Sequence, residues 1–228
     1  MIRSVVETPI AVSTLVRDRA KQHLRVILQR MTRGRMLWRG PAHLRRVALT
    51  FDDGPHLLTP RYLDVLGRAG VPATFFLTGL FAENQPAMVA EYLRGGHQLA
   101  SHGFHHTRFT RLRPDQLRDE LSRTARALGP LPQGRWVRPP HGSFGPVDVT
   151  TLLVSGYTVG MWSLDSRDYD GSTPAVIAAR CAPAHVQPGE VILFHEGQED
   201  TLAALPVVID ELRGAGYELV TMADLFAR

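Results

Sequence analysis

Cysteine is almost missing from this chain of 228 residues: Cys181 stands alone. A single thiol makes no internal disulfide and no cysteine-based metal cluster. No run of about 18 apolar residues exists, so there is no candidate membrane-spanning helix. No Gly-x-Gly-x-x-Gly follows the first expected strand, which argues against a dinucleotide fold, and no Gly-x-x-x-x-Gly-Lys-Ser/Thr appears, which excludes a P-loop. A convincing signal peptide is also lacking. The apolar stretch at residues 9–16 is short and weak, and Arg17, Asp18 and Arg19 follow it at once. The expectation is a cytoplasmic protein, or one peripheral to the inner membrane face.

What is present is ordinary globular material, 44% hydrophobic and 21% charged. The net charge of +4 is unevenly spread. Residues 1–46 carry eleven Lys and Arg against Glu7 and Asp18, a balance of +9. The remaining fifteen bases and twenty acids leave the rest at −5. Basicity therefore belongs to an N-terminal arm. Between residues 16 and 36, Val16, Ala20, Leu24, Ile27, Leu28 and Met31 recur at helical spacing with bases on the other face. Gly34 and then Gly40-Pro41 end this basic amphipathic helix. It either packs on the domain or binds an anionic membrane surface. Nucleic acid is the weaker partner, since no aromatic residue beyond Trp38 interleaves the bases.

After Pro41 short apolar strands alternate with helices. Strands are expected at residues 46–51, 73–77, 97–100, 136–137, 157–163, 191–194 and 217–220. Helices are expected at 59–69, 86–94, 114–128, 147–155, 174–185, 202–213 and 222–227. Seven strand–helix repeats imply a parallel α/β sheet, as a barrel or doubly wound. The division is a helical extension at residues 1–45 and one domain at 46–228.

The unusual polar residues stand just beyond strand ends: Asp52 and Asp53, then His102, His105 and His106, then Arg138, then Asp165 and Asp168, then His195 and Glu196. In a β/α barrel those ends converge on one face. His102 and His106 are spaced so that one turn of helix aims both imidazoles the same way. With a carboxylate such as Asp53 they make a three-ligand N/O set open to water, suited to catalytic zinc or another divalent metal. Asp52 and Asp53 are adjacent and diverge at a strand end, so one can bind metal while the other faces the substrate as general base. Each feature has a plain alternative. Asp52-Asp53-Gly54-Pro55 is good turn sequence, a lone histidine pair is commonly surface, and His195 could be a satisfied core histidine.

The segments Thr50-Phe51-Asp52-Asp53-Gly54-Pro55, His102-Gly103-Phe104-His105-His106, Arg138-Pro139-Pro140-His141-Gly142, Asp165-Ser166-Arg167-Asp168-Tyr169 and Val191-Ile192-Leu193-Phe194-His195 occur in this order. Together they resemble the five motifs of the polysaccharide deacetylase family (NodB homology, carbohydrate esterase family 4). The resemblance spans about residues 46–228. It implies a deformed (β/α)7 barrel behind the basic N-terminal helical extension, and metal-dependent N-deacetylation of an N-acetylglucosamine-type sugar. It also implies roles. Asp53, His102 and His106 hold one divalent metal, zinc first, with cobalt or nickel suiting the same ligands. Asp52 is the general base, paired with Arg138. His195 is the acid that protonates the departing amine, and Asp165 orients it. The backbone N–H of His141 meets the oxyanion. Leu193 receives the acetyl methyl, and Tyr169 and Trp162 wall the substrate. Three positions depart from the family pattern: His141 replaces a tyrosine, Tyr169 a tryptophan, and Gly103 a serine or threonine. All three bear on substrate choice. O-acetyl ester hydrolysis on the same barrel is the alternative activity, and a membrane- or polyanion-binding protein the alternative class.

Overall fold

The computed structural model describes residues 23–227. The weak apolar stretch at 9–16 and residues 16–22 of the expected basic helix lie outside the described residues.

Among the described residues nine strands form one parallel sheet. In chain order they are β1 (Met36–Leu37), β2 (Arg46–Asp52), β3 (Thr74–Leu77), β4 (Gln98–Ser101), β5 (Trp136–Val137), β6 (Thr158–Gly160), β7 (Leu164–Asp165), β8 (Val191–His195) and β9 (Glu218–Val220). The spatial order is β1-β6-β5-β4-β3-β2-β8-β7, and β9 pairs with the first half of β2. Residues 23–31 form helix α1. The others are α2 (Thr59–Ala69), α3 (Gly79–Asn84), α4 (Pro86–Arg94), α5 (Pro114–Leu128), α6 (Pro146–Val154), α7 (Pro174–Arg180), α8 (Glu199–Gly214) and α9 (Met222–Leu225).

Proline sets several helix starts. Pro60, Pro86, Pro114, Pro146 and Pro174 each stand in a first turn, where the missing N–H costs nothing. α7 stops at Arg180 rather than running to residue 185, because Pro183 cannot continue a helix and biases the residue before it away from helical angles.

Alternation along β2 explains the layers. Val47, Leu49 and Phe51 face outward into the main core with Tyr62 and Leu66 of α2, while Ala48 belongs to an inner cluster with Phe76, Ala100 and Val191. Thr50 and Asp52 share that inner face and meet Arg138 there. On the outer face Phe51 stacks between Phe75 and Phe194 of the neighbouring strands, with centroids 5.0 and 5.5 Å away. Removing that ring would cost about 3–5 kcal/mol in lost burial and cavity.

The expected strand at 157–163 is two strands. β6 pairs with β1 and β5, whereas β7 pairs with β8 at the far end of the sheet. Only residues 161–163 separate them, so the sheet must curl until its ends nearly meet. The result is the deformed (β/α)7 barrel expected from the motifs.

The boundary after residue 45 also needs correction. Gly34 turns the chain at φ 73°, and β1 then joins the sheet through Met36 opposite Val159. Met36, Leu37 and Trp38 are buried in the core. These residues belong to the barrel and are not part of a detachable arm.

Candidate active site

The C-terminal ends of the strands surround a cleft of about 400 Å³. Asp52, Asp53, His102, His106, His141, Trp162, Asp165, Tyr169, Leu193 and His195 line it. Arg138, the remaining residue expected there, lies fully buried behind Asp52.

Arg138 closes the barrel seam. Its Nη1 donates to Asp52 Oδ1 at 2.7 Å and to Thr50 Oγ1 at 3.0 Å. Nε and Nη2 donate to the carbonyls of Gly160 and Met161, where the chain leaves β6 for β7. The guanidinium also lies 3.9 Å from the Phe76 ring centre. A buried ion pair this well bonded is costly to break from one side, by about 3–5 kcal/mol.

Asp53, His102 and His106 bring one ligand atom each within 4.8 Å of one another. Asp53 Oδ1 lies 3.1 Å from His106 Nε2 and 3.6 Å from His102 Nε2. That oxygen is buried and accepts no hydrogen bond. Burial alone would raise the Asp53 pKa, but His106, and more weakly His195, hold the carboxyl well below the usual carboxylate range. His102 Nδ1 sits 2.9 Å from the Arg138 carbonyl. A carbonyl only accepts, so Nδ1 carries the proton and the Nε2 lone pair faces Asp53. Burial pushes the His102 pKa down, favouring the neutral form a metal needs. An unsatisfied carboxylate oxygen beside two imidazole nitrogens suits a divalent cation.

Two residues of this set take left-handed backbone angles, Asp53 at φ 75° and His106 at φ 56°. Such conformations persist only where the surroundings enforce them. Behind Asp53, the buried Glu196 accepts hydrogen bonds from Tyr92 and Thr59 and packs against Gly54. A Cβ on Gly54 would fall 1.6 Å from Glu196 Oε2, so only glycine fits there. Burial raises the Glu196 pKa to about 7, against the pull of the Tyr92 and Thr59 hydrogen bonds. Behind His106, Glu120 of α5 accepts the backbone N–H groups of Phe104 and His105 at 2.6 and 2.9 Å and bonds His105 Nδ1 at 2.6 Å. It anchors the loop in which Gly103 has no hydroxyl to offer. His105 therefore faces Glu120 and stands outside the ligand set.

His195 departs from expectation in its partner. Its Nδ1 bonds Asp168 Oδ1 at 2.7 Å, and its backbone N–H donates to Asp168 Oδ2, which also accepts from Thr201. Asp165 makes no such contact. Its carboxylate accepts from the Arg167 N–H and the Tyr169 hydroxyl, bracing the turn. The orienting role assigned to Asp165 thus passes to Asp168. The cause is local: Arg167 at φ 53° reverses the chain into a 3-10 turn, which carries the Asp168 carboxylate to the end of β8. Burial alone would lower the His195 pKa, but the Asp168 hydrogen bond and the charges of Asp52, Asp168 and Asp53 raise it to about 9.

The remaining walls differ in character. Leu193 is buried on β8. Tyr169 is exposed, with its ring edge-on to His195 at 5.1 Å. The His141 ring lies 4.5 Å from that of His106. Trp162 presses on Gly142, whose φ of 62° and 2.6 Å hypothetical Cβ contact leave no room for a side chain.

Comparison with known proteins identifies the family. The polysaccharide deacetylase family model matches residues 39–176. A chitooligosaccharide deacetylase of Bradyrhizobium sp. (strain ANU 289) is 32% identical over 204 residues, covering 79% of this chain and 90% of the relative. A peptidoglycan-N-acetylglucosamine deacetylase of Bacillus cereus is 31% identical over 194 residues, covering 82% and 70%. Among solved structures, the Bc1960 peptidoglycan N-acetylglucosamine deacetylase superposes with a TM-score of 0.80 at 30% identity, covering 84% of this chain and 92% of that one. A carbohydrate esterase family 4 pseudoenzyme from Bacillus anthracis also superposes, with a TM-score of 0.77 at 26% identity, covering 83% and 68%. The chain belongs to the polysaccharide deacetylase family, carbohydrate esterase family 4, the family of the chitooligosaccharide and peptidoglycan deacetylases above. Since a pseudoenzyme shares the fold, activity must be argued from the residues.

Proposed function

We propose that this protein is a divalent-metal hydrolase that removes N-acetyl groups from an N-acetylglucosamine-type oligosaccharide, polysaccharide or glycoconjugate. The observation that carries the reading is the convergence of three groups in one cleft. They are the Asp53–His102–His106 set, Asp52 backed by Arg138, and His195 backed by Asp168.

Asp53, His102 and His106 would hold a divalent cation, which would supply a Lewis acid for the acetyl carbonyl and lower the pKa of water in the cleft. Asp52 takes the proton from the attacking water. The neighbouring ends of β2 and β8, with Asp52 registered against His195, put base and acid side by side. His195, protonated and fixed by Asp168, gives its proton to the departing amine, which cannot leave as an anion. The backbone N–H of His141 is assigned to the oxyanion. Leu193 is assigned to the acetyl methyl, and Trp162 and Tyr169 to the sugar faces. Zinc heads the metals, with cobalt and nickel suiting the same two imidazoles and carboxylate.

The test is acetate release from N-acetylated chitooligosaccharides by the full chain, before and after chelation and with each metal restored. Release should stop on metal removal and return with zinc. Undiminished release from protein shown to be metal-free would overturn the reading. O-acetyl esters form a second substrate class, favoured by likeness to a family 4 carbohydrate esterase from Streptomyces lividans solved with acetate, TM-score 0.71 at 32% identity, covering 77% of this chain and 91% of that one. An alkoxide leaves with less help than an amine, so His195→Ala should harm amide turnover more than ester turnover.

A further inference from the structure

Helix α1 has two faces. Inward, Leu28 packs against the core cluster that holds Met36, Trp38 and Met161. Leu24, Ile27 and Met31 fall at i, i+3 and i+7 along the edge that adjoins Leu28, and Val26 stands exposed apart from them on the far side of the helix. In that order the four are 56%, 52%, 76% and 50% exposed. An aliphatic stripe of this kind is unusual on a helix that faces only water. Residues 23–35 hold four arginines and no acid, within a first 46 residues of charge +9.

The position of the helix matters as much as its composition. Leu24, Arg25 and Leu28 line a groove of about 270 Å³ whose other side includes Trp38, Phe144 and Met161. His141, Gly142 and Trp162 line both this groove and the catalytic cleft. Leu24 therefore links the exposed stripe to the groove beside the mouth of the site.

We propose that α1 seats the mouth of the cleft on an anionic lipid surface, so that the substrate is an acetylated glycan presented at a membrane. This deepens the deacetylase reading and rests on it for the reaction. Charge complementarity selects the occupant. A second copy on the same face would bring two strongly basic segments together, whereas acidic headgroups attract them. A nucleic acid would meet aliphatic side chains that offer no stacking surface. Among the described residues no helix is long and apolar enough to cross a membrane.

The experiment is co-sedimentation of the full chain with vesicles of phosphatidylglycerol mixed with phosphatidylcholine, and of phosphatidylcholine alone. Wild type should pellet with the acidic vesicles and weaken steeply with salt. Ile27→Glu/Met31→Glu should weaken pelleting by about tenfold or more with an unchanged melting temperature. Failure of wild type to pellet, equal pelleting on both vesicle types, or equal pelleting of the variant would each overturn the proposal. So would a dimer in solution that the double substitution converts to monomer while lipid binding persists. Acetate release by wild type from a soluble chitooligosaccharide, run in parallel, tests the deacetylase reading separately.

Discussion

Two histidine–carboxylate clamps in this protein are nearly superposable in chemistry and opposite in use. His195 bonds Asp168 through Nδ1 at 2.7 Å, and Asp168 also accepts the His195 backbone N–H. His105 bonds Glu120 through Nδ1 at 2.6 Å, and Glu120 also accepts the His105 backbone N–H. The first clamp belongs to a cleft residue with 18% of its side chain exposed, the second to an imidazole that is 47% exposed and absent from the cleft wall. The first pair sets the charge of the imidazole proposed as the acid. The second fixes the loop that delivers His106. The lesson is that a buried carboxylate on an imidazole says little until the far nitrogen is located.

The sharpest way to break the comparison is to remove both imidazoles in turn. His195→Ala should lower turnover of an N-acetyl sugar by about a thousandfold, the middle of the range for a lost acid. His105→Ala should cost only a few-fold, because Glu120 keeps its two backbone N–H bonds. Steady-state acetate release decides, and equal losses would erase the distinction.

Next in size is Asp168→Asn, with a loss of about a hundredfold. Because the His195 pKa is raised to about 9, its acid form persists through neutrality and is lost as pH rises through that value. Without the carboxylate the alkaline limb of the pH–rate profile should move down. Asp165→Asn should leave that limb in place, since Asp165 braces the turn and not the imidazole. An unshifted limb in Asp168→Asn would return the orienting role to question.

The Glu120 clamp predicts a different kind of loss. Glu120→Gln keeps size but weakens its hold on the 103–106 loop. Zinc affinity should fall about 10–100-fold, with most turnover restored at saturating zinc. Competition with a chromogenic chelator measures the first, and acetate release the second. A loss of turnover that zinc cannot restore would mean that Glu120 acts on more than the metal loop.

These contrasts show what was readable in the residues. The strand-end clustering of Asp52, Asp53, His102, His106, Arg138 and His195 was legible because short-range order along the chain maps onto one face of a parallel barrel. Asp168 over Asp165 was not, since a single left-handed residue, Arg167, decides which carboxylate reaches β8. The β6–β7 break was hidden because an apolar run carries no sign of where it changes partner. The β1 edge strand was hidden in helical periodicity that Gly34 cuts short. Glu120 did leave a trace. It occupies the buried stripe of α5 with Leu117, Leu121, Thr124 and Leu128, where an acid is out of place without a partner. Glu196 left a fainter one, as a second polar residue at the end of an apolar strand.

A third histidine, this one buried, sharpens the rule by lacking a carboxylate altogether. His97 Nδ1 accepts the Ala73 N–H at 3.2 Å, and its ring meets Phe75 edge-on at 5.2 Å. With burial as the cause, its pKa is lowered from 6.5 to about 4, opposite to His195. The unfolded chain therefore binds a proton between those values that the folded chain refuses, so stability falls as pH drops from 6.5 towards 4. The full gap is worth roughly 3 kcal/mol. Protonation would also abolish the acceptor that Ala73 uses. Urea unfolding of wild type and His97→Gln at pH 7 and pH 4.5 isolates the effect from the other titrating groups. Wild type should lose more stability between the two than the variant does. Parallel losses would mean that His97 is protonated in the folded barrel, and that burial without a carboxylate does not separate it from His195.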